Sequence, residues 1–279
     1  MPHPFFDSAR PLVFAHRGGA ALAPENTFAA FDRGHSLGAD GLELDVRVSR
    51  DGVVVVHHDD TLERTTNLRG AVSAYTADEL WRADAGYRFG HQDAWIFRGL
   101  GYGIPRLQWV LSRYPDTRII IELKDNTLDM ARAVLAVVRE AHAVDRVCLG
   151  SFRLRALRLV RAAEPRLATS AAQEEVRWAL YRSWIRWPVR RPPYLGYQVP
   201  EVAGMTRVVS PQFVEASHRA GLPVQVWTVD SEDDARRLLG WGVDGLITNR
   251  PDLLVPMVRG MIQFHLADHG GKTGSSRGA

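Results

Sequence analysis

Residues 41–58 read GLELDVRVSRDGVVVVHH and consist of two apolar runs on either side of an Asp-Gly pair. Each run has the length of a β-strand, and Asp-Gly between two such runs is a strong hairpin signal. Similar short runs alternate along the chain with longer amphipathic stretches, which is typical of a parallel α/β fold. The predicted strands are Leu12–Ala15, Gly41–Val48, Val53–His57, Arg118–Leu123, Val147–Gly150, Leu167–Thr169, Tyr194–Gln198, Val224–Thr228 and Gly245–Thr248.

The number of strands and the chain length predict a single barrel. A chain of 279 residues has the usual size of one (β/α)8 barrel. If the second arm of the hairpin is an extra strand, eight strands remain for the barrel. Helices are predicted at Thr27–Leu37, Leu128–Ala141, Arg153–Ala163, Val214–Ala220 and Asp233–Trp241. We expect an α/β TIM-type barrel domain over residues 1–264, a small insertion over one end at about 62–105, and a disordered tail at 265–279.

The composition is that of an ordinary soluble globular protein, with 46% hydrophobic and 24% charged residues. It excludes fibres, disordered chains and membrane bundles, and neither a signal peptide nor a membrane span is visible, so we expect a cytoplasmic location. A formal charge of +3 suits anionic substrates or lipid surfaces. The single cysteine, Cys148, lies in an apolar run and is expected to be a buried structural thiol, which excludes an intramolecular disulfide.

The first predicted strand is followed directly by His16, Arg17, Gly18 and Gly19. In a parallel barrel, the residues at the carboxyl ends of the strands line the active-site face. A histidine can exchange a proton near neutral pH, an arginine can bind a phosphate through two nitrogens, and glycines let the backbone approach a ligand. The alternative is a histidine with a structural role only.

Two acids in the second strand share one face. Because side chains alternate along a strand, Glu43 and Asp45 lie on one side, and the intervening leucine and valine side chains face the helices. Two carboxylates buried so close together require neutralisation, and a divalent cation such as Mg²⁺ or Ca²⁺ would supply it. The alternative is a solvated edge strand.

Further polar groups end two other predicted strands. His57 and His58 project to opposite sides, so at most one of them faces the site, and the pattern does not choose between them. Glu122 and Lys124 share one face at the end of an apolar strand. Together with the earlier residues they form a set of acids, cations and histidines at the carboxyl ends of the strands.

This set of residues suits phosphodiester hydrolysis. A metal can bind a phosphate oxygen and a neighbouring hydroxyl and lower the pKa of that hydroxyl. Arg17 and Lys124 would offset the charge on the phosphoryl oxygens. Two histidines on opposite sides of the phosphorus could remove one proton and supply another.

The same residues resemble those of glycerophosphodiester phosphodiesterases. The resemblance runs from about residue 12 to 255, with its motifs in order. It rests on His16-Arg17-Gly18, Pro24-Glu25-Asn26-Thr27, Gly41–Asp45, His58-Asp59 with Leu62-Glu63-Arg64-Thr65-Thr66, Ile121-Glu122-Leu123-Lys124, Val226–Val229 and Gly242–Pro251.

The resemblance implies a TIM barrel with an inserted subdomain and a bound Mg²⁺ or Ca²⁺. It implies Glu43, Asp45 and Glu122 as metal ligands, and it selects His58 over His57 as the partner of His16 in acid–base catalysis. Arg17 and Lys124 would bind the phosphate. The implied route is attack by the neighbouring glycerol hydroxyl, giving a cyclic phosphate that water then opens.

Four further positions carry smaller expectations. Trp227 matches the tryptophan near the glycerol end of the pocket in the family, with a core aromatic as the alternative. For Asn26 we expect helix capping first and the orientation of a site residue second. Asp230 and Asn249 depart from the residues most frequent in the family, and we expect both to lie outside the metal and proton-transfer set.

Residues 174–193 are rich in arginine and tryptophan, which predicts possible contact with a lipid surface. The alternative is a solvated helix whose aromatic side chains pack on the barrel. For the whole chain, the expected reaction is hydrolysis of small glycerophosphodiesters to glycerol 3-phosphate and an alcohol. The alternatives are a lysophospholipase D that releases lysophosphatidic acid, and a non-catalytic barrel that binds phosphate and metal.

Overall fold

The computed structural model describes residues 3–90 and 94–270, with side chains as far as Met261. Its strands are β1 Leu12–Ala15, β2 Gly41–Val48, β3 Val54–Val56, β4 Arg118–Leu123, β5 Val147–Gly150, β6 Ala168–Thr169, β7 Tyr197–Pro200, β8 Val202–Ala203, β9 Thr206–Arg207, β10 Val224–Trp227 and β11 Gly245–Thr248. Its helices are α1 Phe28–Ser36, α2 Ala77–Trp81, α3 Leu107–Arg113, α4 Leu128–Glu140, α5 Leu154–Ala163, α6 Gln173–Trp184, α7 Pro211–Arg219, α8 Glu232–Gly240 and α9 Pro251–Gly270.

Eight parallel strands form the barrel, in the order β6-β5-β4-β2-β1-β11-β10-β7. The two outer strands of this order meet through a parallel bridge between Ser170 and Gly196, where the Ala171 amide donates to the Gly196 carbonyl at 3.0 Å. The predicted TIM-type barrel is therefore confirmed.

The predicted hairpin is also confirmed, because β3 pairs antiparallel with β2 and stands outside the eight barrel strands. A second small hairpin, β8–β9, which we did not predict, follows β7.

Alternation along the strands sorts the side chains as expected. Leu42, Leu44 and Val46 of β2 are fully buried in the cluster that joins the strands to helices α3, α4 and α5. The barrel interior holds a separate small cluster that includes Phe14, Ile120 and Cys148. Cys148 is buried as expected, and burial raises the pKa of its thiol.

Within the predicted insertion, the described residues 62–90 and 94–105 contribute no barrel strand. They contain the short helix α2, and Leu62, Val72, Leu80 and Ile104 form a hydrophobic cluster of their own with β3. The helix that completes this unit, α3, begins directly after the segment at Leu107. We did not predict α3, which spans seven residues and has no side-chain cap at its N-terminus.

The last helix, α9, was also not predicted, since its sequence is apolar on most sides and contains Pro256. It runs to Gly270, so the first six residues of the predicted tail, 265–270, are helical. Residues 271–279 lie outside the described residues, and disorder there stays a prediction. Among the helices described, none is long and apolar enough to span a membrane, and the cytoplasmic location stays a prediction.

Candidate active site

The predicted site residues meet at the carboxyl ends of the barrel strands. Those from β1, β2, β4, β10 and the segment after β3 line one cavity of about 470 Å³. Asp45 lies directly behind the cavity wall and is buried. The cavity-lining members of the predicted set are His16, Arg17, Glu43, His58, Glu122, Lys124 and Trp227.

Three carboxylates form the centre of the site. Asp45 on β2 and Glu122 on β4 are register partners, and Glu43 stands two residues before Asp45 on the same face of β2. One oxygen from each of the three lies within 4.8 Å of the others. The parallel pairing of β2 with β4 thus brings together acids that lie almost eighty positions apart in the sequence.

Two cationic side chains accompany these acids. Lys124 Nζ lies 2.9 Å from Asp45 Oδ1 and 3.1 Å from Glu122 Oε1, while Arg17 Nε lies 3.2 Å from Asp45 Oδ2. Asp45 is therefore the most strongly paired of the three acids. Among these five groups the three carboxylates outnumber the two cations by one negative charge, and Arg17 also pairs with Glu25 at 2.9 Å.

The pKa values of the acids reflect this imbalance. Burial, followed by the charges of Asp45 and Glu122, raises the pKa of Glu43 well above its ordinary value. Burial also raises the pKa of Glu122, and the charge of Asp45 adds to that effect. Burial acts in the same direction on Asp45, but Lys124 and Arg17 lower its pKa overall. The clustered carboxylates with one excess negative charge fit a hard divalent cation such as Mg²⁺ or Ca²⁺.

The turn after β1 fixes Arg17 and one carboxylate. Arg17 has φ of 50°, a left-handed conformation that is unfavourable for a side chain of its size. In this conformation its backbone N–H donates to Glu43 Oε2 at 3.0 Å, and its guanidinium reaches Asp45 and Glu25. Local backbone strain therefore orients both a ligand candidate and a phosphate-binding candidate.

The glycine of this turn serves the fold rather than the ligand. A Cβ on Gly18 would lie 2.7 Å from Ala30 and Phe31 of α1, and Gly18 does not line the cavity. The expectation that it lets the backbone approach a ligand is wrong. Its lack of a side chain allows the turn to pack against α1.

His16 is held by residues from the far end of the chain. Its Nδ1 lies 2.7 Å from Asn249 Oδ1, and Asn249 Nδ2 donates to Asp230 Oδ2 at 2.8 Å. Asn249 therefore contacts a predicted catalytic histidine and Asp230 holds Asn249, although both were expected to lie outside the metal and proton-transfer set. Burial and the nearby charge of Arg17 lower the pKa of His16.

His58 is held by a chain of charged groups. Its Nδ1 lies 2.6 Å from Asp59 Oδ1, and Asp59 Oδ2 accepts from Arg64 Nε. Arg64 also binds Glu25 through two nitrogens, at 2.7 and 2.8 Å, and Glu25 accepts from Arg17 at 2.9 Å. Burial lowers the pKa of His58 despite the opposing effect of Asp45 and Asp59.

The structure separates the two adjacent histidines. His58 lines the cavity, whereas His57 is buried and its Nε2 lies 3.2 Å from the Thr61 carbonyl oxygen. This placement agrees with the choice of His58 that the resemblance implied. His57 is not among the described residues that line the cavity.

Asn26 has the second of the two roles expected for it. The N-cap of α1 is Thr27, whose hydroxyl accepts from the Ala30 amide. Asn26 instead donates from Nδ2 to Asp45 Oδ2 at 2.9 Å and accepts from the Asp45 amide at 3.3 Å. The capping expectation for Asn26 is wrong, and this residue orients a predicted metal ligand.

The wall of the cavity away from the carboxylates is largely apolar. Trp227 lines it and makes an edge-to-face contact with Phe152 at 6.0 Å, while its other side packs against the interior cluster. The remainder of this wall comes from α6, β7 and the β8–β9 hairpin. Its apolar and aromatic members include Val176, Leu180, Tyr181, Trp184, Val199 and Val208.

The chain matches a known protein family over most of its length. Residues 16–253 match the Glycerophosphoryl diester phosphodiesterase family. The chain is 34% identical over 255 residues to the glycerophosphodiester phosphodiesterase of Caldanaerobacter subterraneus subsp. tengcongensis, covering 90% of this chain and 98% of the relative.

Solved structures of similar proteins share the fold. Glycerophosphodiester phosphodiesterase from Agrobacterium tumefaciens superposes with a TM-score of 0.70 at 32% identity, covering 87% of this chain and 98% of that one. A phosphodiesterase from Oleispira antarctica, solved with the product sn-glycerol-3-phosphate, has a TM-score of 0.70 at 26% identity, covering 91% and 97%. The chain therefore belongs to the glycerophosphoryl diester phosphodiesterase family and is an enzyme of the phosphodiesterase class.

Proposed function

We propose that this enzyme hydrolyses glycerophosphodiesters to glycerol 3-phosphate and an alcohol, with one divalent cation and with His16 and His58 as the acid–base pair. The observation that carries the proposal is that both histidines line the same cavity as the carboxylate cluster, Arg17 and Lys124. The product in the Oleispira antarctica structure, sn-glycerol-3-phosphate, supports the choice of substrate.

The cation would be held by Glu43, Asp45 and Glu122. When bound, a Mg²⁺ or Ca²⁺ ion polarises a phosphate oxygen and lowers the pKa of the neighbouring glycerol hydroxyl. The ligand set is supported by the hydrogen bonds of Asp45 with Asn26 and by that of Glu43 with the Arg17 amide. These contacts hold the oxygens in place before any ligand arrives.

Both histidines are oriented through Nδ1. Asn249 donates from Nδ2 to Asp230, so its Oδ1 faces His16. This oxygen accepts a hydrogen bond from the protonated Nδ1 of His16. Asp59 likewise accepts from Nδ1 of His58. In each neutral ring the Nε2 atom is then unprotonated and able to take a proton from a substrate hydroxyl or a water, and that of His16 lies 3.8 Å from Glu43 Oε2.

The two rings divide the proton transfers between them. One removes the proton of the glycerol hydroxyl as its oxygen bonds to phosphorus, and the other, protonated, gives a proton to the leaving alcohol oxygen. The cyclic phosphate formed is then opened by water, with the two roles exchanged. Because the attacking hydroxyl belongs to the substrate, it is already held beside the phosphorus.

Arg17 and Lys124 stabilise the phosphoryl group. Negative charge on its oxygens builds up during attack, and preorganised cations reduce the free energy of that state. Both side chains are held by the carboxylates of the site at 3.2 Å or less, so little reorganisation is needed. Trp227 offers an apolar face for the carbon chain of the glycerol.

The test is mass-spectrometric product analysis of a phosphodiester panel with Mg²⁺, with Ca²⁺ and with a chelator. The panel contains glycerophosphocholine, glycerophosphoethanolamine, glycerophosphoglycerol and lysophosphatidylcholine. We expect cation-dependent release of glycerol 3-phosphate from the first three. Lysophosphatidic acid as the main product would replace this proposal with a lysophospholipase D, and the absence of any product would overturn it.

A further inference from the structure

A surface beside the cavity mouth exposes large apolar side chains. We call the exposed side of α6 from Arg177 onward, together with the loop 185–193, the aromatic–arginine surface. Trp178, Trp184, Ile185 and Trp187 lie on it with 66%, 52%, 68% and 62% of their surface exposed. Isolated exposed apolar residues need no explanation, but four large ones within ten residues of sequence indicate a binding surface.

The aromatic side chains of this surface are ordered among themselves. Tyr181 makes edge-to-face contacts with both Trp178 at 6.4 Å and Trp184 at 5.3 Å. The three rings form a row along α6, and Ala179 and Leu180 of the same helix are buried. The aromatic groups are therefore held in place on a stable helix.

The charge of this surface is positive and largely uncompensated. Arg177, Arg186, Arg190 and Arg191 are exposed, and no ion pair forms at any of them within residues 3–90 and 94–261. Arginines elsewhere in the chain commonly pair with acids, such as Arg237 with Glu201 at 2.7 Å. A row of exposed arginines without acidic partners attracts an anionic surface.

The surface is continuous with the cavity. Tyr181 and Trp184 belong both to the surface and to the apolar cavity wall. Across the opening stands the β8–β9 hairpin, whose Ala203 and Thr206 also line the cavity and whose tip, Met205, is fully exposed. A ligand that covers the surface would thus also cover the cavity mouth.

We propose that the aromatic–arginine surface docks the enzyme on the surface of an anionic lipid bilayer, with the cavity mouth facing the lipid headgroups. Tryptophan and tyrosine favour the interface between headgroups and acyl chains, and arginine binds the phosphates of anionic lipids. A two-fold contact with a second copy would instead place the unpaired arginines against each other. The proposal does not depend on the reaction proposed above.

The test is cosedimentation of the full chain with vesicles of phosphatidylcholine, either pure or with phosphatidylglycerol as about one third of the lipid. We expect at least about tenfold stronger binding to the mixed vesicles, and a loss of that binding when the salt concentration rises, because the attraction is electrostatic. Equal binding to both kinds of vesicle, or none to either, would overturn the proposal.

Substitutions on the aromatic–arginine surface distinguish docking through this surface from nonspecific adsorption of the protein to vesicles. Ile185→Ala with Trp187→Ala removes apolar groups, and Arg186→Asn with Arg190→Gln removes charge; these residues do not line the cavity. Each pair should weaken binding to mixed vesicles by about tenfold or more. The matched control is Ile96→Ala, since Ile96 is also 68% exposed but lies in the segment 62–105.

Two further readouts keep the outcomes distinct. The Tm of each variant should match that of the unaltered protein, which shows that the fold remains intact. Vesicle binding that survives both double variants would overturn the proposal. So would a concentration-dependent dimer that forms without lipid and is lost in Ile185→Ala with Trp187→Ala, because a second copy would then occupy the surface.

Discussion

At the scale of single residues, two asparagines hold the groups that carry the proposed chemistry. Asn26 makes two hydrogen bonds with Asp45, and Asn249 joins His16 to Asp230. An amide can donate and accept at once, so each side chain connects a site residue to a second group. Both are positioning residues, since they act through the groups that they orient.

The contact between Asn249 and His16 leads to a double-mutant prediction. Asn249→Ala removes the acceptor for His16 Nδ1 and should lower kcat by about ten- to a hundredfold, with cation affinity unchanged. Asn249→Asp alone places a second carboxylate beside that of Asp230 and should also lower kcat. Asp230→Asn combined with Asn249→Asp restores one donor and one acceptor in the pair, so we expect it to be more active than either single substitution.

The measurement is kcat and KM with glycerophosphocholine for every single and double variant of this mutant cycle. Cation affinity is measured on the same variants by calorimetry. A purely structural role for Asn249 would give additive losses and no recovery in the double variant. That result would remove Asn249 and Asp230 from the support of His16.

Glu43 gives a second prediction at this scale. Glu43→Gln removes a carboxylate whose charge is disfavoured by burial and by its acidic neighbours. We expect affinity for Mg²⁺ or Ca²⁺ to fall by more than about tenfold, and the rise in Tm that the cation causes to shrink accordingly. Without cation, Tm should not fall, because a neutral amide is less costly to bury there.

The control for this substitution is Glu79→Gln, which changes an exposed acid at the start of α2, remote from the cavity. Thermal unfolding with a titration of each cation distinguishes the two variants. An unchanged cation titration for Glu43→Gln would remove Glu43 from the set of ligands.

The sequence predicted some of these residues and not others for a physical reason. Glu43, Asp45 and Glu122 lie inside apolar strands and Lys124 directly follows β4, so alternation assigns each side chain to a face. The contact between His16 and Asn249 spans 233 positions, and no periodicity links residues so far apart. Only the register of β1 with β11, which pairs Ala15 with Thr248, brings them together.

At the scale of elements, the turn after β1 is packed directly against α1. Gly18 has φ of 87° and no room for a Cβ, because atoms of Ala30 and Phe31 would lie 2.7 Å away. Gly34, also in α1, packs against the same turn, with its own Cβ position 2.7 Å from the Gly18 carbonyl oxygen and from Ala15 Cβ. The position of His16 and Arg17 thus depends on close contact between one turn and one helix.

This contact predicts the effect of adding a single methyl group. Gly18→Ala should lower the free energy of unfolding by about 2–4 kcal/mol, from the left-handed backbone and the clash together. Gly52→Ala is the matched control: Gly52 has a similar φ of 78°, but nothing lies within 4 Å of its Cβ position. It should cost only about 1 kcal/mol.

Chemical denaturation of both variants measures these costs, and the activity at a temperature where both are folded measures the effect on the site. Equal destabilisation by the two substitutions would show that α1 moves away from the turn without cost. In that case the contact would not fix His16 and Arg17.

Prediction of the elements succeeded where the pattern was local. The hairpin of β2 and β3 has apolar runs and an Asp-Gly turn, and it forms as predicted. Helix α3 lacks a side-chain cap, and α9 has no polar face to mark its period, so neither was predicted. Both helices bury apolar surface of the barrel. Leu107 and Val110 of α3 and Leu254 of α9 belong to the core clusters.

At the scale of the whole molecule, the barrel brings residues from most of the chain to one rim. The site residues, from His16 to Asn249 in the sequence, lie on or directly after strands β1, β2, β3, β4, β10 and β11. The apolar wall of the cavity comes from α6 and the β8–β9 hairpin. The barrel and its site follow from strand order and alternation. The apolar wall of the cavity could not be predicted from strand order and alternation, because tertiary packing determines the positions of α6 and the β8–β9 hairpin.

The central claim is that His16 and His58 perform the proton transfers while the carboxylates hold a cation. The most direct measurement is the rate of glycerol 3-phosphate release from glycerophosphocholine by His16→Ala and His58→Ala, with cation affinity determined on the same samples. General acid–base catalysis contributes about a hundred- to ten-thousandfold to the rate. The kcat of each variant should therefore fall by at least about a hundredfold. Its cation affinity should remain within about twofold of the unaltered protein, because neither ring belongs to the proposed ligand set. A variant that keeps kcat within about tenfold, with the cation bound, would contradict the account.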